Sequence, residues 1–515
     1  MQATPQAPSP APRERAGGEG ARPITIAVLA MGGEGGGVLA DWIVDLGEHN
    51  GYIAQTTSVP GVAQRTGATI YYVELFPRAA AQAAGAPPVL ALMPLPGDVD
   101  LVLASELMEA ARAVQRGLVT PDRTTLVAST HRVYAIAEKS ALGDGRADAD
   151  LMLDKVREAA RRFVGFDMAA LAEAQGSVIS AVLFGALAAT GALPFDRAQF
   201  AATIERGGIG VKSSLAAFDA AYQRAQQPPA EATPVAFTLP KAADPEMQAL
   251  LDRAAREHTG AALPLVVEGL RRLVDWQDPA YAVLYLDRLK TTLAAAPASA
   301  TETLAPDLAR HLALWMAYED TVRVADLKTR DTRFARVAAE VRVQPGQVLA
   351  FSEFMHPRLQ EIADTLPAAL GRWLLASGAP RRWVQRVAGR GRVVDTSSLG
   401  GFLLLWTLAG LRRWRRGMLR YQVEQQRIEA WLADVRAALQ RGDAALAAEI
   451  VRCQRLVKGY GDTHERGLAN FERLRKAWTG RALPAAALAE LRSAALADEQ
   501  GQVLTAALQR LGITG

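Results

Sequence analysis

The segment from Ile24 to Trp42, ITIAVLAMGGEGGGVLADW, constrains this chain more than any other. ITIAVLA is a continuous apolar run of the kind that forms a strand buried on both faces. Gly32, Gly33, Gly35, Gly36 and Gly37 follow, with Glu34 among them. Val38, Leu39, Trp42, Ile43 and Leu46 then recur at helical spacing, and Gly51 is placed to end that helix. A strand, a glycine turn and a helix in that order open a wound α/β sheet. Such a turn aims backbone N–H groups at whatever lies before the helix, and that position attracts anions. Glycine also lets a ligand or a second stretch of backbone approach closely. Ligand binding and tight packing are therefore both open readings of the turn.

Neither common phosphate code is complete. In the dinucleotide pattern G-x-G-x-x-G, Gly33 and Gly35 fit but Val38 takes the third position. The acid expected about 20 residues on, to hold a ribose, is missing from the strand ending QTTSV. In the P-loop pattern, Gly32 and Gly37 have the spacing, but Val38 and Leu39 stand where Lys and Ser/Thr are needed. Glu34 itself opposes a phosphate beside its side chain.

Further strands are expected at YIAQTTSV, ATIYYVELF, DVDLVLASE and TTLVAST, interleaved with helical segments, which gives a mostly parallel wound sheet. Strand C-termini form the ligand crevice in such sheets. Two loops there carry candidate groups. Gln64, Arg65 and Thr66 lie between Gly61 and Gly67, with Arg65 suited to a phosphate or carboxylate and its neighbours to hydrogen bonding. Ser129, Thr130, His131 and Arg132 follow another strand, with His131 as a candidate acid–base group or an ordinary loop histidine.

From Phe163 the pattern turns helical. SVISAVLFGALAATGALPF reads as a buried helix ended by Gly191 and Pro194, and QRAQQPPAEATP as a linker. The expected organisation is a disordered tail over residues 1–22, an α/β domain over 23–228 and a mainly α-helical C-terminal domain over 235–515. In the last, YEDTVRVADLKTRDTRF reads as one helix with Glu319–Arg323 and Asp326–Arg330 pairs. RLQEIADTLPAALGRWLL reads as two helices meeting at Pro367. His464, beside Asp462 and Glu465, is read as part of a structural network rather than a metal site.

Several function classes fall away. The chain holds one cysteine, Cys453, so it forms no internal disulfide, which suits a cytoplasmic setting, and no four-thiolate cluster. No metal site and no catalytic nucleophile is expected in it: there is no G-x-S-x-G elbow and no H-E-x-x-H. A net charge of +4, without a nucleic-acid-binding module, argues for arginines on a solvated surface and against nucleic acid as a partner. The longest apolar run, LGGFLLLWTLAGL, falls short of the about 20 residues of a membrane span, and a buried helix with an Arg-rich end is expected there.

Taken in order, GGEGGG opening a helix, PGVAQRTGATIYYVE, and SVISAVLFGALAATGALPF resemble the gamma domain of the 2-oxoacid:ferredoxin oxidoreductases. That family reads G-x-G-G-Q-G and R-G-G at the first two places; here Glu34 replaces Gln, and Arg65-Thr66-Gly67 replaces R-G-G. YEDTVRVADLKTR, HPRLQEIADTLPAALG and GYGDTHERG resemble the helical extension of the indolepyruvate branch. The resemblance implies an oxidoreductase subunit, of the kind called beta in that branch, in an α2β2-like hetero-oligomer. Such enzymes convert an aryl 2-oxo acid and coenzyme A to acyl-CoA and CO2 with reduction of ferredoxin. Thiamine diphosphate, magnesium and 4Fe–4S clusters would reside on the alpha subunit, none being bound by this chain alone. Here the backbone of Gly32 to Gly37, with Gln64, Arg65 and Thr66, would line a coenzyme A-facing cleft, with Thr130, His131 and Arg132 as secondary candidates. Two other readings stand beside it: a non-catalytic assembly or scaffold protein, and a self-sufficient nucleotide-binding oxidoreductase.

Overall fold

The structure is a computed structural model describing residues 22–60, 68–134, 136–143, 145–227, 237–341, 343, 346–355, 358–376, 378–388, 392–459 and 461–513. The chain divides into two compact units, 1–234 and 235–515. The expected tail thus lies, apart from Arg22, outside the described residues, as do Gln64, Arg65 and Thr66.

The first unit is built on a six-stranded sheet: β1 (Ile24–Met31), β2 (Tyr52–Pro60), β3 (Ala68–Pro77), β4 (Leu101–Ala104), β5 (Thr125–Ser129) and β6 (Arg162–Phe166). The spatial order is β2-β3-β1-β4-β5-β6. Strands β1, β4, β5 and β6 run parallel, while β3 lies antiparallel to both β1 and β2. The wound, mostly parallel sheet is therefore present, with an antiparallel pair added on one side.

The uninterrupted apolar run in β1 has a direct cause. Ile26 and Val28 face a core closed by helices Gly36–His49, Ile179–Thr190 and Val211–Gln226, whereas Ala27 and Leu29 face a second core with helix Leu107–Gln115. With both faces covered, every position from Ile26 to Met31 is apolar. Gly185 shows why helix Ile179–Thr190 is rich in small residues. A Cβ there would come within 2.3 Å of the Phe218 carbonyl on the neighbouring helix. β6 corrects the expectation that the pattern is helical from Phe163 onward. RFVGF is a short strand pairing with β5 before the helices resume, too brief for its own periodicity to distinguish it from helix.

The second unit is mainly helical, around a core that includes Trp276, Trp315, Trp431 and Phe471. A two-stranded antiparallel sheet, β7 (Ser352–Met355) and β8 (Arg392–Asp395), is its exception among the described residues.

Three local expectations are revised here. YEDTVRVADLKTRDTRF is two helices, Thr321–Thr329 and Asp331–Glu340, broken at Arg330. Asp320 caps the first by accepting from the Arg323 backbone N–H at 2.7 Å, which leaves Glu319 outside the helix. Arg323 turns to Asp275 and Asp326 instead of Glu319, while the Asp326–Arg330 pair does form.

The apolar run LGGFLLLWTLAGL forms helix Leu399–Gly410, but only Leu405 in it is buried. Leu399 is 76% and Trp406 60% exposed. A helix apolar all round gives no periodic signal for which face is covered. The Arg-rich end after it is not simply solvated either. Arg412 donates to the carbonyls of Val274 and Gln277, and Arg415 is fully buried.

The two helices flanking Pro367 are as read, Leu359–Asp364 and Ala368–Ala376. Among the described residues no single helix is long and apolar enough to cross a membrane.

Candidate functional site

The glycine run does two different jobs. Gly33 and Gly35 have φ of +90° and +72°, a backbone region that favours glycine, and they turn the chain off the end of β1. Gly36 is required by packing. A Cβ on it would stand 2.5 Å from the Ala30 Cβ and 2.8 Å from the Tyr71 ring. The helix Gly36–His49 starts directly from this turn with no side-chain cap and no acid in its first turn. Its leading N–H groups thus have no intrahelical acceptor and face the C-terminal edge of the sheet.

Glu34 is directed inward. Its carboxylate accepts from the Ser105 hydroxyl at the end of β4 and, at 3.3 Å, from the Met31 N–H at the end of β1. The second carboxylate oxygen lies 3.9 Å from His131 Nε2. On the far side of the ring, Ser129 accepts from the Met168 N–H at 3.0 Å, and its hydroxyl shares a 2.7 Å hydrogen bond with His131 Nδ1. A polar chain Ser129–His131–Glu34–Ser105 thus runs across the C-terminal ends of three adjacent parallel strands, where wound sheets place their ligands. Ser105 and Ser129 are fully buried with committed hydroxyls. The chain therefore orients the glycine turn and offers no free nucleophile.

Opposite the turn lies the start of helix Ile179–Thr190, also without a side-chain cap. Ser180 on it is 1% exposed, and its hydroxyl has no hydrogen-bond partner. A Cβ on Gly35 would fall 3.0 Å from that hydroxyl. A buried polar atom left without a partner is uncommon in folded proteins. Two uncapped helix starts and this hydroxyl thus lie beside the glycine turn.

The other candidates are placed differently. The Arg132 side chain, 9% exposed, lies 2.5 Å from Glu138 and 3.7 Å from Glu106, so its charge is matched by these two acids. Burial pushes the Glu106 carboxyl above its ordinary range. Thr130 joins β5 to β6 by its backbone N–H, which donates to the Phe166 carbonyl. Gln64, Arg65 and Thr66 are not described, but register fixes both ends of their segment. Pro60 pairs with Thr69, and Ala68 pairs with Met31, the residue before the glycine run. Sequence reasoning passed over Ser105 and Ser180. The first was visible as a serine ending an apolar strand; the second carried no signal, because it sits in a run of small helix residues.

Among the described residues no group of three or more His, Cys, Asp or Glu is placed to hold a metal ion, and Cys453 is buried. In the first unit, a cavity of about 480 Å³ lies at the opposite, N-terminal edge of the sheet, beside the Asp100–Arg123 pair.

Residues 25–224 match the family described as pyruvate ferredoxin/flavodoxin oxidoreductase. Residues 262–477 match a family of unknown function, DUF6537. No curated protein matches. Similar solved structures include the pyruvate oxidoreductase subunit PORC of Thermotoga maritima, at 15% identity and TM-score 0.28, covering 39% of this chain and 96% of that one. The keto/oxoacid ferredoxin oxidoreductase gamma subunit of Geobacter sulfurreducens is 16% identical with TM-score 0.27, covering 40% and 97%. The 2-oxoglutarate:ferredoxin oxidoreductase of Magnetococcus marinus is 17% identical with TM-score 0.29; the match covers 39% of this chain and 31% of that one.

Proposed function

We propose, from the match of residues 25–224 to the pyruvate ferredoxin/flavodoxin oxidoreductase family, that this chain is the accessory subunit of a 2-oxoacid:ferredoxin oxidoreductase. In this reading it docks on a large subunit that carries thiamine diphosphate, magnesium and 4Fe–4S clusters. It contributes an anion-binding wall for coenzyme A. The substrate class is an aryl 2-oxo acid such as indolepyruvate, and the electron acceptor is ferredoxin.

The observation that carries the reading is the orphaned Ser180 hydroxyl set against Gly35 at an uncapped helix start. The residues present fit an anionic group of coenzyme A: the N–H groups of Gly33, Gly35, Gly36 and Gly37 and the Ser180 hydroxyl would hold it, and Arg65 would add a charge. Coenzyme A supplies the thiol that takes up the acyl group. This chain's own part is binding, orientation and exclusion of water. With one buried cysteine in the whole sequence, electron-carrying clusters have to be held elsewhere.

The test is steady-state kinetics of the co-purified complex. Ser180→Ala and Arg65→Ala are each expected to raise KM for coenzyme A about three- to thirty-fold, about one to two hydrogen-bond equivalents, with kcat little changed. Unchanged KM in both variants would remove coenzyme A from this wall.

A further inference from the structure

The helical unit holds a cavity of about 310 Å³ that plays no part in the reading above. Its walls come from the turn at Glu319, helix Leu359–Asp364, helix Leu419–Gln440 and helix Asp462–Gly480. All lie within the segment matching the family of unknown function.

Beneath it, Glu424 is completely buried. Burial alone would push its carboxyl up. The guanidinium groups of Arg420 and Arg427 and a 2.9 Å bond from Trp315 Nε1 overcome that and hold it below its ordinary range. Arg420 also donates to His464 Nε2 at 2.7 Å. Burial, reinforced by the Arg420 charge, brings the His464 imidazole down to about 4, so it is neutral at pH 7. His464 thus belongs to a network with Arg420 and Glu424, while its sequence neighbour Asp462 pairs with Arg358.

The network is incomplete. Arg420 Nε is buried and bonded to nothing. Asp364, 3.7 Å from Arg420 Nη1, accepts one bond from Gln360 and is otherwise open to the cavity. Arg420 and Asp364 both line one cavity, with opposite charges side by side, and a ligand with a group for each would complete the network.

Charge narrows the class. Three arginines (358, 420, 427) and five acids (319, 320, 361, 364, 465) line the cavity. A multiply charged anion would meet the acids, and a simple cation would leave the Arg420 donor unused. A molecule with one charge of each sign satisfies both. The volume stands at the lower end of the about 300–1,000 Å³ of small-molecule sites.

We propose that this cavity binds a small zwitterion of the α-amino acid class, its carboxylate on Arg420 and its ammonium on Asp364. This stands on the helical unit alone and is independent of the role given to the N-terminal domain.

The test is thermal unfolding of the full chain with each proteinogenic amino acid at about 10 mM. Controls are the corresponding carboxylates without the amine and amines without the carboxylate. The expected result is a rise of about 2 °C or more with at least one amino acid and none with its two controls. Asp364→Asn, or Leu468→Trp at the cavity wall, abolishes the rise. No response to any amino acid, an equal response to the bare carboxylate, or a response that survives in both variants overturns the proposal.

Discussion

Glu34, the acid inside the glycine run, gives its carboxylate to the hydroxyl of Ser105 at the end of the neighbouring parallel strand. The contact turns the negative charge into the sheet edge and leaves the backbone N–H groups as the outward face of the turn. In the proposed reading this reconciles the acid with anion binding, although its charge still opposes the ligand at short range.

Glu34→Gln keeps an acceptor for Ser105 and removes that charge. Coenzyme A is expected to bind the assembled enzyme about five-fold more tightly, a gain of about 1 kcal/mol for one unit charge partly screened by solvent. Isothermal titration with coenzyme A checks it, and equal affinity in both proteins would contradict it.

Gly36→Ala separates packing from propensity. At an open helical position the change would gain up to about 1 kcal/mol. Here the new methyl meets Ala30 and Tyr71, so a loss of about 1–3 kcal/mol is expected. Urea unfolding followed by fluorescence gives the sign.

Arg415 and Asp320 form a buried two-point pair, at 2.8 and 3.1 Å, with Arg415 stacked 4.0 Å over the Trp276 ring. Arg415→Met leaves Asp320 buried without its partner, and a loss of about 3–5 kcal/mol is expected. The double variant with Asp320→Asn should recover part of that loss in the same unfolding experiment.

Stability should fall as the solution is made acidic. His464 has a depressed folded-state pKa of about 4 against an ordinary value of 6.5. Between these values the unfolded chain binds a proton that the folded chain excludes, so stability rises with pH through this window and is lost on descending it. The loss amounts to about 3 kcal/mol near pH 4. His258 and His311, pushed down mainly by burial, add in the same direction. His464→Gln should flatten the slope measured between about pH 4.5 and 6.5, the window between the folded and ordinary pKa values.

Much of this fold is legible in the sequence where one physical cause dominates. The apolar run of β1 requires two covered faces, and Gly51 and Gly191 end their helices at positive φ. Competing causes are what hide the rest. RFVGF is too short to declare itself a strand. Leu399–Gly410 is apolar on every side, so its composition could not say that Trp406 is exposed. In RRWRR, identical residues have opposite fates: Arg415 is buried and Arg413 exposed, a division set by Asp320 nearly a hundred positions away. At the candidate site, the turn and His131 were visible as local pattern. Ser105 and Ser180 become relevant only when the sheet order and the helix packing bring them to the turn.

The most direct measurement is co-expression of this chain with a large thiamine- and cluster-bearing subunit, followed by pull-down and assay of viologen reduction dependent on indolepyruvate and coenzyme A. The account predicts a brown complex that reduces the dye only when both subunits and both substrates are present. A colourless, solitary and inactive chain would contradict it.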